Sequence, residues 1–228
     1  MSENVHITQL AYHTPRRFSR GIVAFAVLLV VAGCAEPDPR PVAELLRQGD
    51  VFLDPDTYQP YSGTVFATFD DQPLVVAQRL SLRDGAYDGP YEAYFENRQL
   101  SAKEMYENGV KHGPYQWYFE NGRIFEEGTY HDGHLDGKYR AYWDSGDLYE
   151  DGTYNHGEFE GPRKWYLGGQ LIELVTYSSG VIDGPYERYS EDGALDMQGT
   201  LLFGSPCGVW KEGRATVRYP ACSEMATD

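Results

Sequence analysis

An all-β fold built from tandem hairpins is predicted for this 228-residue chain, and three observations predict it. A glycine followed by an aromatic-containing segment recurs at Gly63, Gly89, Gly113, Gly137, Gly161, Gly184 and Gly208, at intervals of 26, 24, 24, 24, 23 and 24 residues. Within the copies apolar and polar side chains alternate, as at Tyr115, Trp117 and Phe119 against Gln116 and Tyr118. Period two is the signature of a strand. Turn dipeptides punctuate the runs: Asn121-Gly122, Ser145-Gly146 and Asp192-Gly193 within the units, Asn108-Gly109, Asp132-Gly133 and His156-Gly157 between them. Their glycines take the positive φ that tight hairpins need.

The chain opens with an address rather than a fold. Arg16 to Arg20 is basic, Gly21 to Val31 is a nearly unbroken apolar run, and Val31-Ala32-Gly33-Cys34 places small residues before a cysteine. That order predicts a signal peptide over residues 1–33. Its apolar run of about 11 to 13 residues is too short to span a hydrocarbon core roughly 30 Å thick. VAGC resembles a bacterial lipobox, which implies cleavage before Cys34 and acylation of its side chain and amine, anchoring the chain to a membrane. A soluble secreted chain cut near Ala32 or Gly33, or a short membrane anchor, are the alternatives. Ala35 is not the aspartate that retains such proteins in an inner membrane, so an outer-membrane or periplasmic address is expected in a cell that has one.

Residues 34–41 follow as a proline-rich linker, and AEPDPRP is biased to extended geometry. Val42 to Arg47 and Val51 to Tyr61 lie in a cap over residues 42–62, expected as a short helix and an edge strand covering the first repeat. The repeats run over 63–207, starting at 63, 89, 113, 137, 161 and 184. Aligned copies place Tyr94, Tyr118, Tyr142, Tyr166 and Tyr189 in one aromatic column, and Tyr91, Tyr115, Tyr139, Arg163, Tyr186 and Trp210 in another. These ladders are expected to supply the burial that an open sheet needs. A platform for a glycan or peptide is the other use for them. Arg98 replaces a turn glycine and Gly168-Gly169 shortens one tip, so both tips are expected to be irregular. Residues 208–228 are expected as a C-terminal cap, held by a disulfide between Cys222 and Cys207, the last residue of the repeats. Closing that 15-residue loop stabilises by about 3 kcal/mol in the chain-entropy model.

Gly-x-Tyr, Tyr-Phe-x-Asn-Gly and Gly-x-Tyr-x-x-Gly, read along Tyr61 to Trp210, resemble MORN-type repeats, and more closely the bacterial variant of the YwqK family. The resemblance implies an elongated, single-layer antiparallel meander of about 12 to 14 strands, each repeat touching its neighbours. It does not carry the "antitoxin" label of that family to this chain, because an exported protein lies in the wrong compartment to neutralise a cytosolic toxin.

The formal charge of −16 arises from 35 acidic against 19 basic residues; without residues 1–33 the balance is 34 against 16, or −18. So acidic a surface repels phosphate backbones, which disfavours nucleic acid as a partner. Glu126, Glu150 and Glu173 fall in one column, expected to mark the water face and a possible contact for a basic partner. No G-x-S-x-G, no glycine-rich phosphate loop and no C-x-x-C is present. His131 and His134 sit in HDGH beside Asp132 and Asp136, but at turn positions, and a solvated turn is preferred to a metal site there. The Asp-Gly pairs lack the spacing of a calcium loop. The sequence therefore predicts no cofactor, no metal, no catalysis and a monomer. Its expected role is a membrane-anchored protein-interaction scaffold in the cell envelope, with a carbohydrate or cell-wall binder as the alternative.

Overall fold

A computed structural model describes residues 38–225, so the predicted signal peptide, Cys34 and the first part of the linker lie outside the described residues. From Gly63 onward the chain is one antiparallel meander. Its strands are β4 (Gly63–Thr68), β5 (Val76–Arg83), β6 (Ala86–Tyr94), β7 (Leu100–Glu107), β8 (Val110–Lys111), β9 (Gly113–Tyr118) and β10 (Ile124–His131). They continue with β11 (His134–Leu135), β12 (Gly137–Tyr142), β13 (Leu148–Asn155), β14 (Glu158–Phe159), β15 (Gly161–Leu167) and β16 (Gln170–Ser178), then β17 (Val181–Tyr189), β18 (Leu195–Leu202), β19 (Ser205–Glu212) and β20 (Ala215–Arg218). β8, β11 and β14 are two-residue lead-ins to the strands after them, which leaves fourteen rungs. Before the meander come β1 (Arg40–Pro41), parallel to β4, and a separate hairpin of β2 (Leu46–Gln48) and β3 (Val51–Leu53).

Two departures from ideal pairing recur once per repeat. In the second strand of each hairpin one residue is skipped: Ile124 pairs with Tyr118 and Glu126 with Trp117, leaving Phe125 without a partner. Tyr149, Ile172 and Asp196 are skipped in the same way. Such bulges bend a strand and add twist. The other departure sits at the repeat glycine, where Asp88 to Pro90 oppose the single residue Ser81. Gly89 takes φ +102° there, and a Cβ on Gly184 would lie 3.0 Å from that of Thr176. All seven repeat glycines have positive φ, between +71° and +150°, so glycine recurs because the backbone must turn outward at this corner.

Turns between units stitch neighbouring copies together. Asp132 and Gly133 both have positive φ, and the Gly133 amide donates to the Lys111 carbonyl at 2.9 Å. Gly109, Gly157, Gly180 and Gly204 donate in the same manner to Tyr87, Leu135, Phe159 and Ile182. Arg98 overturns one expectation. It adopts φ +69° and donates to the Phe95 carbonyl at 2.8 Å, as Gly122 does to Phe119, so this tip is regular. The Gly168-Gly169 tip is a tight two-residue turn between Leu167 and Gln170.

At the N-terminal end Leu45, Val65, Leu80 and Leu82 form a small buried cluster with Val42, Phe52, Tyr61, Tyr87 and Tyr91 against it. The helical element here is a single 3-10 turn, Val42–Glu44. At the other end Cys207 and Cys222 form a disulfide, Cα atoms 5.0 Å apart, that fastens the four-residue helix α1 (Cys222–Met225) to β19. No described helix is long and apolar enough to cross a membrane.

Candidate functional site

Strand periodicity sorts the side chains onto two faces, here A and B. Face A carries Tyr91, Tyr115, Tyr139, Arg163, Tyr186 and Trp210, with Tyr115 only 1% exposed. Their rings pack in chains: Tyr115 against Tyr130 at 4.8 Å, Tyr154 against Phe159 at 4.0 Å and Tyr186 against Trp210 at 5.6 Å between centroids. Glycine on the adjacent strand makes room for them. Gly128 pairs with Tyr115, and a Cβ there would come 2.8 Å from its ring; Gly199 seats Trp210 in the same way.

The glutamate column lies on this face, which corrects the expectation of a water face. Glu126 accepts the Tyr115 hydroxyl at 2.7 Å and the Tyr139 hydroxyl at 3.3 Å, and Glu173 accepts Tyr186 at 2.7 Å. Glu150 is buried and paired with Arg163, whose guanidinium stacks over Phe159 and Trp165. Like charges two strands apart persist because phenols and a guanidinium hold each carboxylate, not because water screens them. Glu104 is buried too, holding Lys111 at 2.8 Å, the Trp117 indole at 2.9 Å and the Tyr106 hydroxyl at 3.0 Å. Burial, then the neighbouring carboxylates, pushes the Tyr106, Tyr115 and Tyr139 hydroxyls well above the usual phenol range; Tyr186 is pushed up to about 12, first by burial and then by its bond to Glu173.

Face B carries the predicted aromatic ladder, opposite the buried rings, because Tyr94, Tyr118, Tyr142, Tyr166 and Tyr189 lie three residues after the Tyr91 column and three is odd. These rings are half-buried. Tyr94 donates to Glu92 at 2.6 Å, Tyr118 to Gln116 at 2.9 Å and Tyr142 to Glu127 at 2.8 Å. Beside them the register builds a row that changes sign along the sheet: Arg79, Glu92, Lys103, Gln116, Glu127, Arg140, Asp151 and Lys164, each the ladder partner of the next. Arg140 reaches Asp151 at 3.2 Å and Gln116 reaches Glu127 at 3.2 Å.

A groove of about 470 Å³ opens on this face across β6, β7, β9, β10 and β12. Pro90, Met105 and Pro114 give it an apolar floor, while Lys103 and Lys138 flank it. Neither lysine is ion-paired with any described residue. Sequence reasoning missed this groove, since proline, methionine and lysine from four different strands meet there only through the register.

A family model described as the MORN repeat variant matches residues 111–132 and 135–156. The chain carries two tandem MORN-variant repeats. No curated protein matches it. The two MORN repeats supply eight of the twelve residues that line the groove, Pro114, Gln116, Glu127, Thr129, Lys138 and Arg140 among them, and the Glu126 and Glu150 positions of face A. Repeats of this kind support a repeat-based binding module.

Proposed function

We propose that this chain is an exported, lipid-anchored and non-catalytic scaffold that binds an envelope protein through face B. The groove carries this reading. An apolar floor bounded by two unpaired ammonium groups suits a protein segment that brings carboxylates to Lys103 and Lys138 and an apolar side chain to Met105. The chain as a whole is strongly acidic, so this local reversal of sign is a means of selecting a partner. Cys34 is the anchor in this account, and its replacement by serine releases the protein from membranes.

Capture from crosslinked cells tests the binding half. Wild-type protein is expected to retain one dominant partner that the double variant Lys103→Glu, Lys138→Glu loses at unchanged melting temperature. Equal capture by both contradicts the assignment of face B.

One observation favours a second reading. Phe119 and Phe125 pack at 5.1 Å, and Trp143 and Tyr149 at 4.6 Å, at corresponding tips of consecutive repeats, with Phe125 40% and Trp143 43% exposed. Exposed ring pairs one repeat apart suit a chain of sugar rings. Co-sedimentation with purified peptidoglycan, abolished by Phe125→Ala and Trp143→Ala together, is the result this reading requires.

A further inference from the structure

In three repeats the residue before the corner glycine accepts a hydrogen bond from the next turn. Asp88 accepts the Asn108 amide, Asp136 the His156 amide and Glu160 the Ser179 amide. In one copy this position is His112, and it meets a turn that begins with an aspartate and is preceded by a second histidine. His112 Nδ1 lies 3.4 Å from Asp132 Oδ1, and His131 Nδ1 lies 3.5 Å from Asp132 Oδ2. The two imidazoles touch, centroids 4.9 Å apart, and one ligand atom from each of the three residues falls within 4.8 Å of the others. Glu107 adds a carboxylate oxygen 3.9 Å from His112 Nδ1.

We infer that His112, His131 and Asp132, with Glu107 or water completing the set, form a binding site for a divalent transition ion of the zinc class. Tetrahedral zinc with ligands about 2.0–2.1 Å away sets neighbouring ligand atoms about 3.3–3.4 Å apart. Each histidine stands near that edge length from one oxygen of the Asp132 carboxylate, His112 from Oδ1 and His131 from Oδ2, so small side-chain rotations bring all three onto one ion. Two imidazole nitrogens and a carboxylate select zinc-class ions over calcium, which takes six or more oxygens. The chain contains its own comparison. One repeat later Asp136 and His156 approach to 3.6 Å, but among the described residues no third ligand atom completes a cluster there. The sequence concealed the site because His112 comes from the preceding hairpin, whereas the pair that linear spacing brings forward, His131 and His134, flanks a turn whose second histidine is not in the cluster.

Isothermal titration of the full chain with Zn²⁺ and with Ca²⁺ is the test. One saturable Zn²⁺ equivalent is expected, weakened at least tenfold by His112→Ala, by His131→Asn or by Asp132→Asn. His134→Ala and His156→Ala leave it unchanged, and circular dichroism confirms that each variant is folded. The inference is overturned if wild type takes up no Zn²⁺ stoichiometrically, if the three variants bind as well as wild type, or if Ca²⁺ binds as tightly as Zn²⁺.

Discussion

Each face A carboxylate is held by donors that the neighbouring strand supplies, and Glu150 depends on them most. It is 4% exposed and bound to Arg163, itself largely covered by Phe159 and Trp165. Removing one member of a covered pair strands the other charge. Glu150→Ala is therefore expected to cost about 2–3 kcal/mol in urea unfolding, below the full penalty because Arg163 keeps some contact with water. Glu127→Ala on face B is expected to cost less than about 1 kcal/mol. The tyrosines carry a pH signature. Their hydroxyls ionise higher in the folded chain than in the unfolded one, so above pH 10 the unfolded state binds fewer protons and stability falls as pH rises. Tyr186 sets a window that runs from about 10 to about 12, and Tyr106, Tyr115 and Tyr139 extend it upward. The urea midpoint is expected to be flat from pH 8 to 9.5 and to drop steeply beyond 10.

Among the elements, hairpins were legible and their faces were not. Alternation and Asn-Gly or Asp-Gly turns located strands such as Gly113–Tyr118 and Ile124–His131, because both signals are local. Which way the glutamate column points depends on the bulge at Phe125 and its equivalents, and a skipped residue reverses the side on which everything after it falls. The same blindness hid the ring seats. Gly128 sits within a strand under the Tyr115 ring, a cross-strand neighbour that linear spacing does not reveal. Gly128→Ala is expected to destabilise by about 1–3 kcal/mol through overpacking. Gly199→Ala beneath Trp210 is expected at the upper end of that range, whereas Gly137→Ala has open space around its Cβ and pays only for its φ of +99°. Arg98 shows the opposite failure: the sequence exaggerated an irregularity, since arginine accepts the left-handed conformation that the tip requires.

Across the whole molecule the two faces divide the labour. Face A holds aromatic rings, buried carboxylates and the glycines that admit them, and it stabilises each copy against the next. Face B, with its sign-changing row and the groove between Lys103 and Lys138, is free of that task and is the surface proposed to meet a partner. Two of the four methionines report on this division, because Met105 lines the groove on face B and Met197 lies on face A as the ladder partner of Arg188. Cells grown with a photo-reactive methionine analogue, irradiated and analysed for crosslinked peptides, measure which face is occupied. The account predicts partner adducts at Met105 and none at Met197; adducts at Met197, or a partner that crosslinks without touching Met105, would contradict it.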